Sequence, residues 1–318
     1  MILNLAGGLG VFLFGMRTMS DGIHKSAGER FHRLLNLMTG NPAAAILTGL
    51  ATTALIQSSS ATTVMLVSLV NAQLVNLTQA IGVIMGANIG TTLTAWIVSY
   101  FGFSVKITAF ALPAIAISLP LHFSKRERLR DISGILLGFG LLFLGLYEMK
   151  EAVGAVRENA AALRVLENLT EYGALSLVLF VAIGSLLTIA VQSSSAAMTI
   201  TLTLAFNGWI PFHIAAAIVL GENIGTTITA YLASLEMNTN AKRAARAHMI
   251  FNLIGVVWVL VLFNPVLSLV DYLIPGSATD PAALPFHLSG FHTLFNVTNT
   301  FVLVWFIPRI ERLVTYLV

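Results

Sequence analysis

Eleven apolar stretches, at 2–16, 42–57, 61–75, 79–99, 105–123, 132–147, 173–191, 196–206, 213–235, 247–274 and 291–307, occupy most of this 318-residue chain. That density decides the solvent before any motif is considered. A bilayer core holds no water to pair with backbone N–H and C=O groups, so a buried segment must satisfy them internally, and runs of Leu, Ala, Val and Thr do so as helices. Charged residues make up 10% of the chain, against about 25% in soluble domains, and hydrophobic residues 57%. The expected fold class is an all-α polytopic membrane protein, with the lipid bilayer as its surroundings. The opening residues, MILNLAGGLGVFLFGM, carry neither a basic n-region nor a small-residue cleavage site and are expected to be an anchor. With no cysteine, the chain has no disulfide and no thiolate metal site. A net charge of +3 gives no reason to expect a nucleic-acid partner.

Several stretches are too short to cross. A full span takes about 20 apolar residues, but 42–57 and 61–75 are shorter and are hinged at Gln57-Ser58-Ser59-Ser60. The same four residues return as Gln192-Ser193-Ser194-Ser195 between 173–191 and 196–206. The economical reading is two re-entrant hairpins, each made of half-helices meeting at a polar tip.

A single constant shift along the chain, with no gap, aligns Gly49 with Gly184, Thr53 with Thr188, the two QSSS segments, and GANIGTTLTA at 86–95 with GENIGTTITA at 221–230. GLGVFLFGM at 8–16 also matches GFGLLFLGL at 138–146. The expected organisation is therefore a first transmembrane repeat at 1–123, a second at 124–274, and a loop, final helix and tail at 275–318. Counting each hairpin as no net crossing, the first unit crosses three times, which inverts the second. With the N-terminus outside and the C-terminus cytoplasmic, 13 of the 17 basic residues, including those of KRERLR at 125–130, face the cytoplasm. The expectation is an inverted structural repeat with discontinuous helices, in the cell (inner) membrane. The amphipathic stretches 20–41 and 148–172 are read as interfacial.

In inverted-repeat transporters, broken helices aim their N-termini at an anion near the midplane while opened backbone coordinates a cation. QSSS starts the second half-helix of each hairpin with Ser at the N-cap, so free N–H groups and hydroxyls converge there. The glycines of GANIGTT and GENIGTT are expected to let those helices open, with Asn and Thr oxygens suited to a hard monovalent cation. Two helix N-termini supply about +0.5 charge each, and neither motif contains Lys or Arg. A doubly charged oxyanion then needs a co-bound cation.

Paired QSSS motifs, each followed by NIGTT, resemble the type II sodium-coupled phosphate cotransporter family over nearly the whole chain, and AHMIFNLIGVVWVL at 247–260 is similar to that family's His…Phe-Asn helix. The resemblance implies inorganic phosphate as substrate and sodium as coupling ion, with no other cofactor and no transition metal. It implies a phosphate-binding region of Gln57, Ser58, Ser59, Ser60, Gln192, Ser193, Ser194 and Ser195, with Asn88, Thr91, Thr92, Asn223, Thr226 and Thr227 as sodium-binding residues. Glu222, standing where the first repeat has Ala87, is added as a cation ligand or protonatable group, the alternative being that it pairs with a basic residue such as Lys242 or Arg243. A homodimer, and a cytoplasmic regulatory domain in a longer parent chain, are compatible with the resemblance.

Two other classes remain open at this stage. One is a transporter or channel for another oxyanion, such as sulfate, arsenate or a dicarboxylate. The other is an intramembrane serine hydrolase, for which His248 is the only histidine well inside an apolar span. His213, His287 and His292 are read as interfacial or capping residues.

Overall fold

The computed structural model describes residues 2–27, 41–104, 108–154 and 173–318, and among them there is no strand. The helices are α1 (Ile2–Ala27), α2 (Pro42–Ile56), α3 (Ser59–Asn71), α4 (Leu77–Ser99), α5 (Thr108–His122), α6 (Glu127–Gly154), α7 (Ala174–Val191), α8 (Ser194–Phe206), α9 (Phe212–Ser234), α10 (Thr239–Val261), α11 (Phe263–Leu273), α12 (Leu284–Leu303) and α13 (Ile307–Leu317). Among the described residues, five helical stretches, starting at Leu77, Glu127, Phe212, Thr239 and Leu284, are long and apolar enough to cross a membrane. The helices break at both QSSS segments, giving α2 and α3, and α7 and α8, each shorter than those five stretches. The parts of the two amphipathic stretches at 28–40 and 155–172 lie outside the described residues.

Elsewhere the helix breaks differ from the sequence expectation. The stretch 247–274 is two helices, because Pro265 lacks an N–H and its ring crowds the preceding turn, so the chain breaks at Leu262 and restarts with Pro265 in the first turn of α11. The helices bearing NIGTT do not open. Both α4 and α9 run unbroken for 23 residues through their glycines.

Those glycines serve close packing instead. A methyl on Gly86 would fall on the Ile46 carbonyl of α2, and one on Gly49 on the Val83 carbonyl of α4. In the second half, Gly184 faces the Ile218 carbonyl and Gly221 the Val181 carbonyl, the same arrangement built from the equivalent residues of the repeat. Helix axes come this near only where no side chain intervenes. Helices α1 and α6 pack likewise and antiparallel, Gly8 against Gly145 and Gly15 against Gly138.

Helix α12 fixes the relative direction of the two halves. Along it, Ser289, Thr293 and Thr300 bond Ser99, Trp96 and Met85 of α4, in falling order. His287 and Phe291 face Phe212 of α9, and Asn296 bonds Asn223, in rising order. So α4 and α9 run antiparallel. One end of the molecule carries the Thr78 to Glu311 bond and the Asn71 to Asn238 bonds. The other carries Ser99 with Ser289, and Lys150, which donates to the Gly102 carbonyl and lies over the rings of Phe103 and Phe206. Helix α3 leads toward the first end and α8 toward the second.

Gly86→Val and Gly221→Val should each cost about 1–3 kcal/mol or more, since the added atoms meet backbone that cannot move aside. Gly7→Ala, where nothing lies within 4 Å, should be neutral. Thermal unfolding in detergent measures this, and unchanged midpoints for both valine variants would contradict the close approach.

Candidate functional site

The two hairpin tips are built alike. Gln57 (φ 56°, ψ 25°) and Gln192 (φ 55°, ψ 24°) adopt left-handed backbone that ends α2 and α7, each donating its N–H to the carbonyl of Thr53 or Thr188. The next residue is extended and caps the following helix: Ser58 Oγ accepts from Ala61 N at 3.2 Å, Ser193 Oγ from Ala196 N at 3.3 Å. The glutamine amides are tethers. Gln57 Nε2 donates to the Ala54 carbonyl at 2.6 Å while its Oε1 accepts from the Thr94 hydroxyl at 3.0 Å. Gln192 repeats this with Ile189 at 2.6 Å and Thr229 at 3.4 Å. Thr94 and Thr229 were missed from the sequence, although both belong to the block that the two halves share, as the fourth residue of TTLT and TTIT.

The tips meet. Ser59 Oγ lies 3.4 Å from Ser194 Oγ, and all eight residues of the two QSSS segments line one cavity of about 520 Å³. Its other wall is α1, through Leu13, Met16, Arg17, Ser20 and Asp21. The Ser20 hydroxyl also donates to the Ile56 carbonyl, joining α1 to the end of α2. Because α1 covers one tip, Gln57 is buried and Gln192 exposed. The first N–H groups of α3 and α8 have no intrahelical acceptor and carry the positive end of each helix dipole. Arg17 and Asp21 add one charge of each sign. Neither was read as a site residue, because α1 lies outside the segment that carries the motifs.

A second, smaller cavity of about 10 Å³ adjoins the first through Ser59 and Ser194, and is otherwise lined by Asn88, Thr91, Glu222, Asn223, Thr226 and His292. Asn88 and Asn223 each donate their amide N–H to the carbonyl four residues back, Ile84 at 2.9 Å and Val219 at 2.8 Å, so both Oδ1 atoms point away from their own helices. Thr92 and Thr227 line neither cavity, and their hydroxyls donate to the Ile89 and Ile224 carbonyls. Glu222 is 3% exposed. Its Oε1 accepts from the Thr201 hydroxyl at 2.6 Å, and the partner is this threonine, not Lys242 or Arg243.

His292 is not interfacial. It is 5% exposed and in the cavity wall, because α12 begins at Leu284, a full two turns earlier than its apolar stretch suggested. His287, by contrast, is near the start of α12, with Nδ1 3.0 Å from the Ala283 carbonyl and Nε2 3.2 Å from Asp271. Asn296 was also missed. The signal was available: His292 to Asn296, HTLFN, repeats the H-x-x-F-N of HMIFN at 248–252.

The Na+/Pi-cotransporter family profile matches residues 11–151 and 158–271. The chain is 28% identical over 312 residues to a Salmonella typhimurium protein named "Putative inorganic phosphate export protein YjbB", covering 98% of this chain and 54% of that one. It is 29% identical over 307 residues to the uncharacterized protein YqeW of Bacillus subtilis, covering 96% and 95%. A 99-residue portion, 30% of this chain and 15% of the relative, is 36% identical to the sodium-dependent phosphate transport protein 2A of Rattus norvegicus. The chain thus spans about half the length of the YjbB proteins it matches. No solved structure matches it.

Removing either end of the Gln57 tether should destabilise the tip, Thr94→Val by about 0.5–1.5 kcal/mol and Gln57→Ala by more, since alanine also keeps the left-handed backbone without its bonds. The two share one interaction, so the double variant should fall short of the sum by about 0.5 kcal/mol or more. Denaturant unfolding of the four proteins tests this, and simple additivity would remove the tether.

Proposed function

We propose that this chain, which belongs to the Na+/Pi-cotransporter family, is a secondary active transporter coupling sodium ions to the transmembrane movement of inorganic phosphate. It is an integral membrane protein and a transporter, not an enzyme. The observation that carries the reading is the meeting of both QSSS tips at one cavity whose serines also wall a smaller, oxygen-lined one.

In this reading phosphate occupies the larger cavity, against the N-termini of α3 and α8 and the serine hydroxyls of 58–60 and 193–195, with Gln57 and Gln192 holding the turns. Sodium occupies the smaller one, near the oxygens of Asn88, Thr91, Asn223, Thr226 and Glu222, while Thr92 and Thr227 act by holding the local helix. Two dipole ends supply about +1 together, Arg17 and Asp21 cancel, and Glu222 adds a negative charge, so a doubly charged anion leaves about two negative charges over and calls for cations beside it.

The reading includes an inverted repeat, 1–123 against 124–274, with the two hairpins re-entering from opposite faces and 275–318 added. What supports it is the antiparallel course of α4 and α9 along α12, and the divergence of α3 and α8 from their meeting serines. Alternating access then exposes one midplane site to each face in turn, with the N-terminus outside and the C-terminus cytoplasmic in the inner membrane. The name of the YjbB relatives favours net outward flux from a phosphate-rich cell as the physiological direction.

Labelled phosphate uptake into proteoliposomes should collapse when choline replaces external sodium, and unlabelled arsenate should compete while sulfate and dicarboxylates do not. Sodium-independent uptake would remove the coupling, and equal competition by sulfate would remove phosphate selectivity. Single cysteines at Arg128 and Asp280, in a chain with none of its own, should react with an impermeant reagent from opposite faces; reaction from the same face would contradict the inversion.

A further inference from the structure

We infer that α12 completes a site for one small monovalent cation whose carboxylate and third-helix wall come from the second half's side of the molecule only, with Glu222, Asn223 and Thr226 offering oxygen ligands, His292 closing the wall and Asn296 positioning Asn223. The inference rests on the sodium reading above and adds to it a third helix, two residues outside both motifs, and an asymmetry.

Helices α10 and α12 are counterparts. Each carries H-x-x-F-N, and in each the asparagine Nδ2 donates to the histidine carbonyl, Asn252 to His248 at 3.0 Å and Asn296 to His292 at 2.9 Å. Their settings exchange under the repeat: α10 packs on α3, α4 and α9, α12 on α8, α9 and α4. What lies between them does not repeat. The hydrogen-bonded pair of Thr201 and Glu222 corresponds, in the first half, to Leu66 and Ala87, both apolar and fully buried.

Only the second copy therefore faces a carboxylate. Asn296 Nδ2 also reaches Asn223 Oδ1, at 3.3 Å, and so links α12 to the motif asparagine. Among the described residues, Asn296 Oδ1 and His292 Nδ1 have no hydrogen-bond partner, although both side chains are at least 95% buried; Asn252 Oδ1 and both ring nitrogens of His248 on α10 are equally buried and unpartnered, so the carboxylate and the Asn296–Asn223 bond are what set the second copy apart. Buried polar atoms seldom stay unpaired. The adjoining cavity, about 10 Å³, has room for about one water-sized particle.

The donor set selects the particle. A single carboxylate among neutral amide and hydroxyl oxygens balances one positive charge. Calcium sites gather 6–8 oxygen ligands, commonly with more than one carboxylate, and transition metals favour nitrogen and sulfur clusters. No group of three or more His, Cys, Asp or Glu placed to hold a metal ion occurs among the described residues. None of the described Lys or Arg residues lines the cavity, so the Glu222 charge has no fixed countercharge in the wall, where an unpaired ion is costly.

The test measures radiolabelled sodium binding to the purified full chain without phosphate, by scintillation proximity in choline chloride of constant ionic strength. The native protein should bind saturably, with potassium a poor competitor. Glu222→Gln, isosteric and still able to accept from Thr201, and Asn296→Ala should each raise half-saturating sodium by about tenfold or more, as loss of a ligand or of its orienting partner does at ion sites. Glu222→Asp should recover part of the loss. Asn252→Ala, the same change on α10, should stay within about twofold. Thermal midpoints in choline accompany each variant, so that a merely structural loss is visible as such. Native-like sodium binding by Glu222→Gln, or the lack of sodium binding by the native chain, would overturn the site, and an equal effect of Asn252→Ala would overturn its asymmetry. Sodium binding that needs Glu222, found together with sodium-independent phosphate uptake, would keep the site and remove the coupling; sodium-driven uptake with native-like binding in both variants would do the reverse.

Discussion

A helix that starts inside a protein presents backbone N–H groups with no intrahelical acceptor, and this molecule holds two such starts, at Ser59 and Ser194, against each other. Each is made by forcing a glutamine into left-handed backbone, a conformation that costs a non-glycine residue of order 1–3 kcal/mol and persists only where its surroundings impose it. Here the imposition is local and duplicated. The amide spans from its own helix end to a threonine of the next long helix, so the break is fixed to a continuous element. What results is a pair of dipole ends and six serine side chains on one cavity, in surroundings where polar interactions are stronger than in water.

Holding each tip against the long helix of its own half requires α2 to approach α4, and α7 to approach α9, closely, and the glycines do that. The expectation that they open α4 and α9 misread the same residues. An opened helix would release carbonyls that only a ligand or water could satisfy, whereas a continuous one keeps its bonds and uses the missing side chains to admit a neighbour's carbonyl. The irregular backbone that faces the larger cavity is thereby that of the two QSSS turns.

Much of this was legible in the sequence. The half-helices were found because QSSS interrupts apolar runs too short to span, and the meeting of motifs followed from their recurrence at one fixed spacing. Three features were not. The break at Leu262 was hidden inside an unbroken apolar run, where the only mark was Pro265. The depth of His292 was lost because an apolar stretch marks where a helix meets lipid rather than where it begins, and the first two turns of α12, from Leu284, carry His287, Ser289 and Gly290, which interrupt the apolar run. Arg17 and Asp21 reach the cavity from a helix far away in sequence, and no local pattern encodes which helix will lie across a site.

In the proposed mechanism the shared wall of the two cavities makes binding at one depend on the other. Ser59 and Ser194 belong to both walls, and two hydroxyls can orient toward an anion on one side or a cation on the other. A carboxylate at Glu222 without a cation disfavours an anion nearby, and an anion without its cation leaves the two dipole ends overcompensated. Each ligand then raises the affinity for the other by the same factor, as linkage requires. A carrier that changes conformation only when fully loaded or empty needs that mutual dependence. In the mechanism we propose it comes from a carboxylate present in one repeat and absent from the other, so the departure from internal symmetry at Glu222, and not the symmetry of the tips, is what makes the proposed site a coupled one.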